Sequence, residues 1–163
     1  MKGKAGGRKE KFAEYVRDNQ QRLYRFAYSY MKNEEDAMDA LQEAIVKALP
    51  ALDKLREERY LSTWFYRILI NECNRMLKLN QKYCAYNMEE EYTENWVDNY
   101  LQKTQVLSQV GELNEKYRSV VLLRYFEDRK ITEIAHILQI NENTVKTRLY
   151  KALKLLKDKM RED

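Results

Sequence analysis

Thr144, Lys146, Thr147, Arg148 and Lys151 have types and spacing suited to a nucleic-acid duplex. Between Asn143 and Arg161 there are seven basic side chains and one acidic side chain, Asp158. On a helix, Val145, Leu149, Ala152, Leu153 and Leu156 make a buried stripe. Thr144, Thr147, Lys151 and Lys154 lie opposite, with Arg148 and Lys146 beside them. A helix entering the major groove needs short polar groups at its start for base edges and cations around them for phosphates. The competing reading is an ordinary helical hairpin with a solvated basic face.

A second set falls on a helix from Thr63 to about Leu79. Phe65, Leu69, Cys73, Met76 and Leu77 form its apolar side, and Trp64, Arg67, Asn71, Asn74 and Lys78 line the other, with Arg75 at the edge. Guanidinium groups hold phosphates, amides read base edges and an indole stacks, a combination that suits a single strand. Trp64 fits a stacking platform and core packing equally. A third set lies after Asn33, where Ala37, Ala40, Leu41, Ala44, Ile45, Ala48, Leu49 and Leu52 recur at threes and fours. Opposite that stripe are Asp36, Asp39, Glu43, Val46 and Lys47, with Gln42 at the flank. This face is too acidic for DNA and suits a basic protein partner, or else is simply solvated.

Covalent chemistry has little to draw on. His136 is the sole histidine and sits within a helical stretch, Cys73 is on an apolar side, and Cys84 opens a polar segment. Two cysteines make no disulfide scaffold, and with one histidine they make no zinc set, so neither a metal nor a cofactor is expected. A redox role for the cysteine pair has no support in the pattern. No apolar run reaches the roughly 18 residues of a membrane span, and the polar start is unlike a signal peptide. The expectation is a soluble, cytoplasmic protein without direct membrane insertion.

The elements that position these sets are helices. The chain has 163 residues, four glycines and one proline. Outside Gly3, Gly6 and Gly7, only Gly111 and Pro50 punctuate it, too few for the turns of a sheet-rich fold. The net charge of +4 averages unlike regions. Residues 1–80 carry 16 basic and 12 acidic groups, residues 81–110 carry 2 and 5, and residues 111–163 carry 12 and 9. The pattern predicts an all-α chain of two small domains, over 11–80 and 104–163, the second containing a helix-turn-helix. A disordered basic arm over 1–10 precedes them, and an acidic flexible linker over 81–103 joins them.

Within the first domain, a helix runs through Phe12, Val16, Leu23, Ala27 and Tyr30. Asn33 caps the next, Pro50 ends or kinks it, and Ser62 caps the third. In the second, Val106, Leu107, Val110 and Leu113 mark a short helix and Asn114 caps another running to about Phe126. The helix-turn-helix follows from Ile131, with Ile134, Leu138 and Ile140 apolar, Ala135 at the crossing and Asn141 as a cap.

Four stretches together resemble the extracytoplasmic-function sigma factors of bacterial RNA polymerase. They are Asp36-Ala-Met-Asp-Ala-Leu-Gln-Glu-Ala, Ser62-Thr-Trp-Phe-Tyr-Arg-Ile-Leu-Ile-Asn-Glu-Cys-Asn-Arg, Leu113-Asn-Glu-Lys-Tyr-Arg-Ser-Val-Val-Leu-Leu-Arg-Tyr-Phe-Glu-Asp, and Thr144-Val-Lys-Thr-Arg-Leu-Tyr-Lys-Ala-Leu. The resemblance implies a non-enzymatic factor that lends promoter recognition to core RNA polymerase. It implies core-polymerase contacts at Asp39, Leu41, Gln42 and Glu43, which Val46 joins from the same outward face. It places −10 contacts at Trp64, Asn71 and Arg75, which Arg67, Asn74 and Lys78 join from the same helical side, with the loop from Lys54 to Leu61 helping to capture an unstacked base. The −35 contacts fall on Thr144, Lys146, Thr147, Arg148 and Lys151. An anti-sigma factor is the further partner implied. Two departures stand out: Gln139 replaces the usual glycine of the turn, and Lys130 replaces the usual Ser or Thr cap. The alternatives are a stand-alone helix-turn-helix regulator, or a helical interaction protein that binds no DNA.

Overall fold

A computed structural model describes residues 3–84 and 105–162, and every regular element among them is helical. The chain divides into two compact units between Met76 and Leu77. Helix α1 spans Gly3–Met31, α2 Glu34–Ala51 and α3 Leu61–Cys84, with short 3-10 turns at Leu52–Lys54 and Glu58–Tyr60. After residue 104 come α4 Gln105–Glu112, α5 Glu115–Val121, a π turn Leu122–Phe126, α6 Ile131–Leu138 and α7 Glu142–Glu162.

The first unit follows from local signals and one close packing. Lys32 turns the chain in the left-handed region (φ 55°), and extended Asn33 accepts a bond from Asp36 N at 3.0 Å. Glu34, Glu35 and Asp36 then fill the first turn of α2, where the helix dipole favours negative charge. Its inner face is Ala37, Ala40, Leu41, Ala44 and Ala48, small enough for α1 to approach closely. Ile45 is only half-buried and Leu49 is exposed, contrary to expectation. They lie about 80° and 120° round the helix from the centre of that inner face. Rings from α1 and α3 fill the interior: Phe12 meets Phe65 at 5.4 Å and Phe26 meets Tyr66 at 5.1 Å, both edge-on.

Three boundaries differ from expectation. Helix α1 begins at Gly3, so most of the stretch read as a disordered arm is its first turns. Glycines there are poor helix formers, but Arg8 Nη1 donates to Leu52 O at 3.1 Å and ties the helix down. Pro50 sits in the last turn of α2, which stops one residue later, as expected of it. Helix α3 starts before Ser62, which is therefore not its cap, and Gln81–Cys84 continue it. The remainder of the expected linker, to residue 103, lies outside the described residues.

The second unit buries Val110, Leu113, Val120, Leu122 and Leu123 with Ile134, Ile137, Val145, Leu149, Ala152 and Leu156. Ile137 takes the interior place expected of Leu138, and Leu153 is exposed because it lies about 80° from the line of Val145, Leu149 and Ala152. Arg118 Nη2 donates to Gly111 O at 2.7 Å and to Leu113 O at 2.9 Å, closing the carbonyl end of α4. Asn114 caps α5, and Glu127 N reaches back five residues to Leu122 O, the widened bond of the π turn.

Between α6 and α7 the chain turns at Gln139, which is left-handed (φ 55°, ψ 46°), and Ile140 N bonds to Ala135 O at 3.1 Å. Lys130, at the start of α6, contributes no side-chain cap. A side chain in the left-handed region costs roughly 1 kcal/mol relative to glycine. Gln139→Gly is therefore expected to stabilise the second unit by about 1 kcal/mol, read as a higher midpoint in thermal or urea unfolding.

Candidate nucleic-acid interface

Helix α7 is set by its cap. Asn141 Oδ1 accepts from both Thr144 N (2.7 Å) and Thr144 Oγ1 (2.8 Å), and Thr147 Oγ1 donates to Asn143 O at 2.9 Å. Both hydroxyl protons are thus spent within the helix, so the two threonines offer acceptor lone pairs and methyl groups outward. Lys146, Thr147 and Lys151 are exposed, and Thr144 and Arg148 are half-buried at one border of the outward face. Lys151 Nζ and Lys116 Nζ lie 5.8 and 5.0 Å from the Tyr117 ring centre. The hydrogen bond from Lys151 lowers the Tyr117 phenol against the opposing effect of burial, and the charge of Lys116 assists. Tyr150 sits amid this face, three residues after Thr147 and four before Lys154, and is 75% exposed. Helical spacing alone would have added it to the set.

On α3, helical spacing brings Trp64, Arg67, Asn71, Asn74, Arg75 and Lys78 to one side. Trp64 is half-buried and meets Phe12 edge-on at 6.4 Å, so part of its ring serves the interior. Asn71 and Lys78 are exposed and Arg67 is half-buried. The amide oxygen of Asn74 is buried without a hydrogen-bond partner. Ahead of this helix, the Arg59 guanidinium carbon lies 4.8 Å over the ring of Tyr60, which is 47% exposed.

Arg75 is held by a residue absent from the expected set. Glu72, with a side chain 5% exposed, accepts from Arg75 Nε at 3.0 Å and Nη2 at 2.9 Å, and its other oxygen pairs with Lys47 of α2. Burial alone would raise the Glu72 pKa, but the hydrogen bonds from Lys47 and Arg75 outweigh it and hold the carboxyl below its ordinary value. The i, i+3 spacing to Arg75 was readable, whereas Lys47 lies 25 positions away. Next to it, burial, followed by the charge of Glu72, pushes the Cys73 thiol up to about 12. Cys73 is therefore protonated at neutral pH and a poor nucleophile; the side chain of Cys84 lies outside the described residues.

On α2, Asp39, Gln42 and Glu43 are exposed and Val46 is 61% exposed. Leu41 is 3% exposed and belongs to the interior, so it is withdrawn from the outward set. In its place, Met38 and Leu49 are exposed and align with each other, with Val46 beside them and the two acids on its far side. Among the described residues, no three His, Cys, Asp or Glu side chains gather as a metal site. No helix there is long and apolar enough to cross a membrane.

Two family models match the chain: Sigma-70 region 2 over residues 15–83 and Sigma-70, region 4 over residues 103–156. The RNA polymerase sigma factor SigV of Bacillus subtilis is 38% identical over 143 residues, covering 87% of this chain and 86% of that protein. The ECF RNA polymerase sigma factor SigW of the same organism is 28% identical, covering 96% and 92%. Two solved structures share the fold. The sigma factor RpoE of Bartonella quintana, in complex with the anti-sigma factor NepR, has a TM-score of 0.75 at 20% identity over 94% of this chain and 99% of that one. CnrH, in complex with the cytosolic domain of CnrY, has a TM-score of 0.73 at 23% identity over 98% and 93%.

The Glu72 arrangement has a pH signature. A carboxyl depressed in the folded state adds stability above its unfolded pKa, near 4.5, which is lost as pH falls through the lower folded value. Acidification below about pH 4.5 should therefore destabilise the first unit. Glu72→Gln should cost about 1–3 kcal/mol at neutral pH and flatten that acid limb, as read by urea unfolding across pH.

Proposed function

The chain belongs to the extracytoplasmic-function sigma factors of bacterial RNA polymerase, and on that footing we propose where its working surfaces lie. It binds core RNA polymerase and directs promoter-specific initiation of transcription. The observation carrying the surface assignment is the outward face of α7, where capped threonines stand among cations with nothing acidic between Asn143 and Asp158.

We assign the −35 duplex to Thr144, Lys146, Thr147, Arg148 and Lys151, with the lysines and arginine on phosphates and the threonines presenting acceptors and methyls to base edges. The melted −10 strand is assigned to Trp64, Arg67, Asn71, Asn74, Arg75 and Lys78, with the loop from Lys54 to Leu61 taking an unstacked base. Core polymerase is assigned to Asp39, Gln42, Glu43 and Val46, extended by Met38 and Leu49. An acidic edge along an apolar strip complements a basic partner with an apolar centre.

The work is binding rather than covalent catalysis. Unstacking a base costs a few kcal/mol, which contacts to the extruded strand offset. Its place is with the polymerase in the bacterial cytoplasm. The solved neighbours are each held by a further protein, one of them named an anti-sigma factor. We extend such a partner to this chain, with the apolar line on α2 as a surface for it to cover.

Purified protein added to core polymerase should yield promoter-dependent run-off transcripts, and no transcript from any of a panel of native promoters would refute the reading. Glu43→Arg should weaken core affinity at least about tenfold with helicity unchanged by circular dichroism. Lys151→Ala should weaken −35 duplex binding uniformly across sequences and lower its salt slope by about one, measured by anisotropy at several salt concentrations.

A further inference from the structure

Four side chains on one face of α1, at positions 8, 11, 12 and 15, reach the loop between α2 and α3 and the start of α3. Arg8 Nη1 donates to Leu52 O at 3.1 Å, an oxygen that also receives Leu55 N. Lys11 pairs with Glu58. Phe12 packs edge-on against Trp64 and Phe65. Tyr15 Oη donates to Ser62 Oγ at 3.2 Å. The spacing is i, i+3, i+4, i+7, one helical stripe. Its partners are Leu52 at the start of the loop, Glu58 towards its end, and Ser62, Trp64 and Phe65 in the first turns of α3. Leu52 and Leu55 are buried and anchor the loop from within, while Arg59 and Tyr60 face outward with the guanidinium over the ring.

We propose that this stretch of α1 is a strut, in which Arg8, Lys11 and Tyr15 are positioning residues that hold the Arg59–Tyr60 tip ready for single-stranded −10 DNA. The inference rests on the proposed reading that this loop takes an unstacked base. A loop ordered beforehand removes from the binding step the entropy of ordering it, so affinity for the strand depends on contacts the strand never touches. The Lys11–Glu58 pair is exposed and individually weak. Arg8 is half-buried and carries a charge-assisted bond to a helix-end carbonyl, a stronger hold.

The test uses holoenzyme reconstituted with core polymerase and a fluorescent single-stranded oligonucleotide carrying the non-template −10 sequence. Core affinity and thermal midpoint are measured in parallel. Arg8→Met and Lys11→Glu should each weaken oligonucleotide binding about three- to tenfold, with core affinity unchanged. Glu58→Lys should weaken it as well, although it adds positive charge and a long-range charge effect would strengthen binding. Combining Lys11→Glu with Glu58→Lys should restore most of the loss. If Tyr60→Ala weakens binding while the Arg8 and Lys11 variants do not, the strut is refuted and the loop reading stands. If Tyr60→Ala is also silent, the loop reading fails and the strut falls with it. Tighter binding by Glu58→Lys, or a parallel loss of core affinity in the Arg8 and Lys11 variants, would equally overturn the proposal.

Discussion

Glu72 is a carboxylate withdrawn from water on a helix otherwise lined with cations and amides, held by Lys47 from α2 and by Arg75 from its own helix. Removing either cation would leave the buried carboxylate with only one of its two partners, a costlier loss than breaking an exposed pair. The two helices are therefore joined at a polar point. The helix assigned to the polymerase and the helix assigned to the −10 strand thus each give a cation to one buried carboxylate.

The second unit is organised differently. Its joints are caps on helix ends: Arg118 over the last carbonyls around α4, Asn114 before α5, and Asn141 before α7. Short helices leave a large share of their backbone groups unpaired, so side chains that satisfy them matter more than in long helices. The left-handed residues Asp128 and Gln139 turn the chain where the last helices begin, and neither is glycine. Geometry at the turn is thus kept at an energetic cost, and the hydrophobic contacts of Ile134, Ile137 and Val145 must offset it.

What was legible in the sequence was mostly local. Asn33 and Asn141 read as caps because a cap needs only its own next three residues, and the alanine stripe of α2 read as an inner face by its period. Gln139 stood out only against the glycine usual in the resembled family, and its left-handed backbone is a finding of the structure. Edges of faces were less legible: Leu49 and Leu153 were counted inside, yet a helical wheel gives an angle and not the boundary at which a neighbour stops covering it. Contacts between distant positions were not legible at all. Arg8 with Leu52, Lys11 with Glu58 and Lys47 with Glu72 each join residues more than twenty positions apart. Nothing in the type of either partner names the other. The basic start looked like an untethered arm for that reason.

The inner face of α2 is almost entirely alanine. Alanine has no rotamers to rearrange and no volume to spare, so that face can neither shrink usefully nor grow without pushing α1 away. The outer face carries its long side chains into solvent, where replacing them leaves the interior volume untouched. The residues outside can therefore change without a compensating change of volume within, but they answer to the partner that docks there and, at Lys47, to Glu72. One helix thus meets a limit of volume on one side and a limit of recognition on the other.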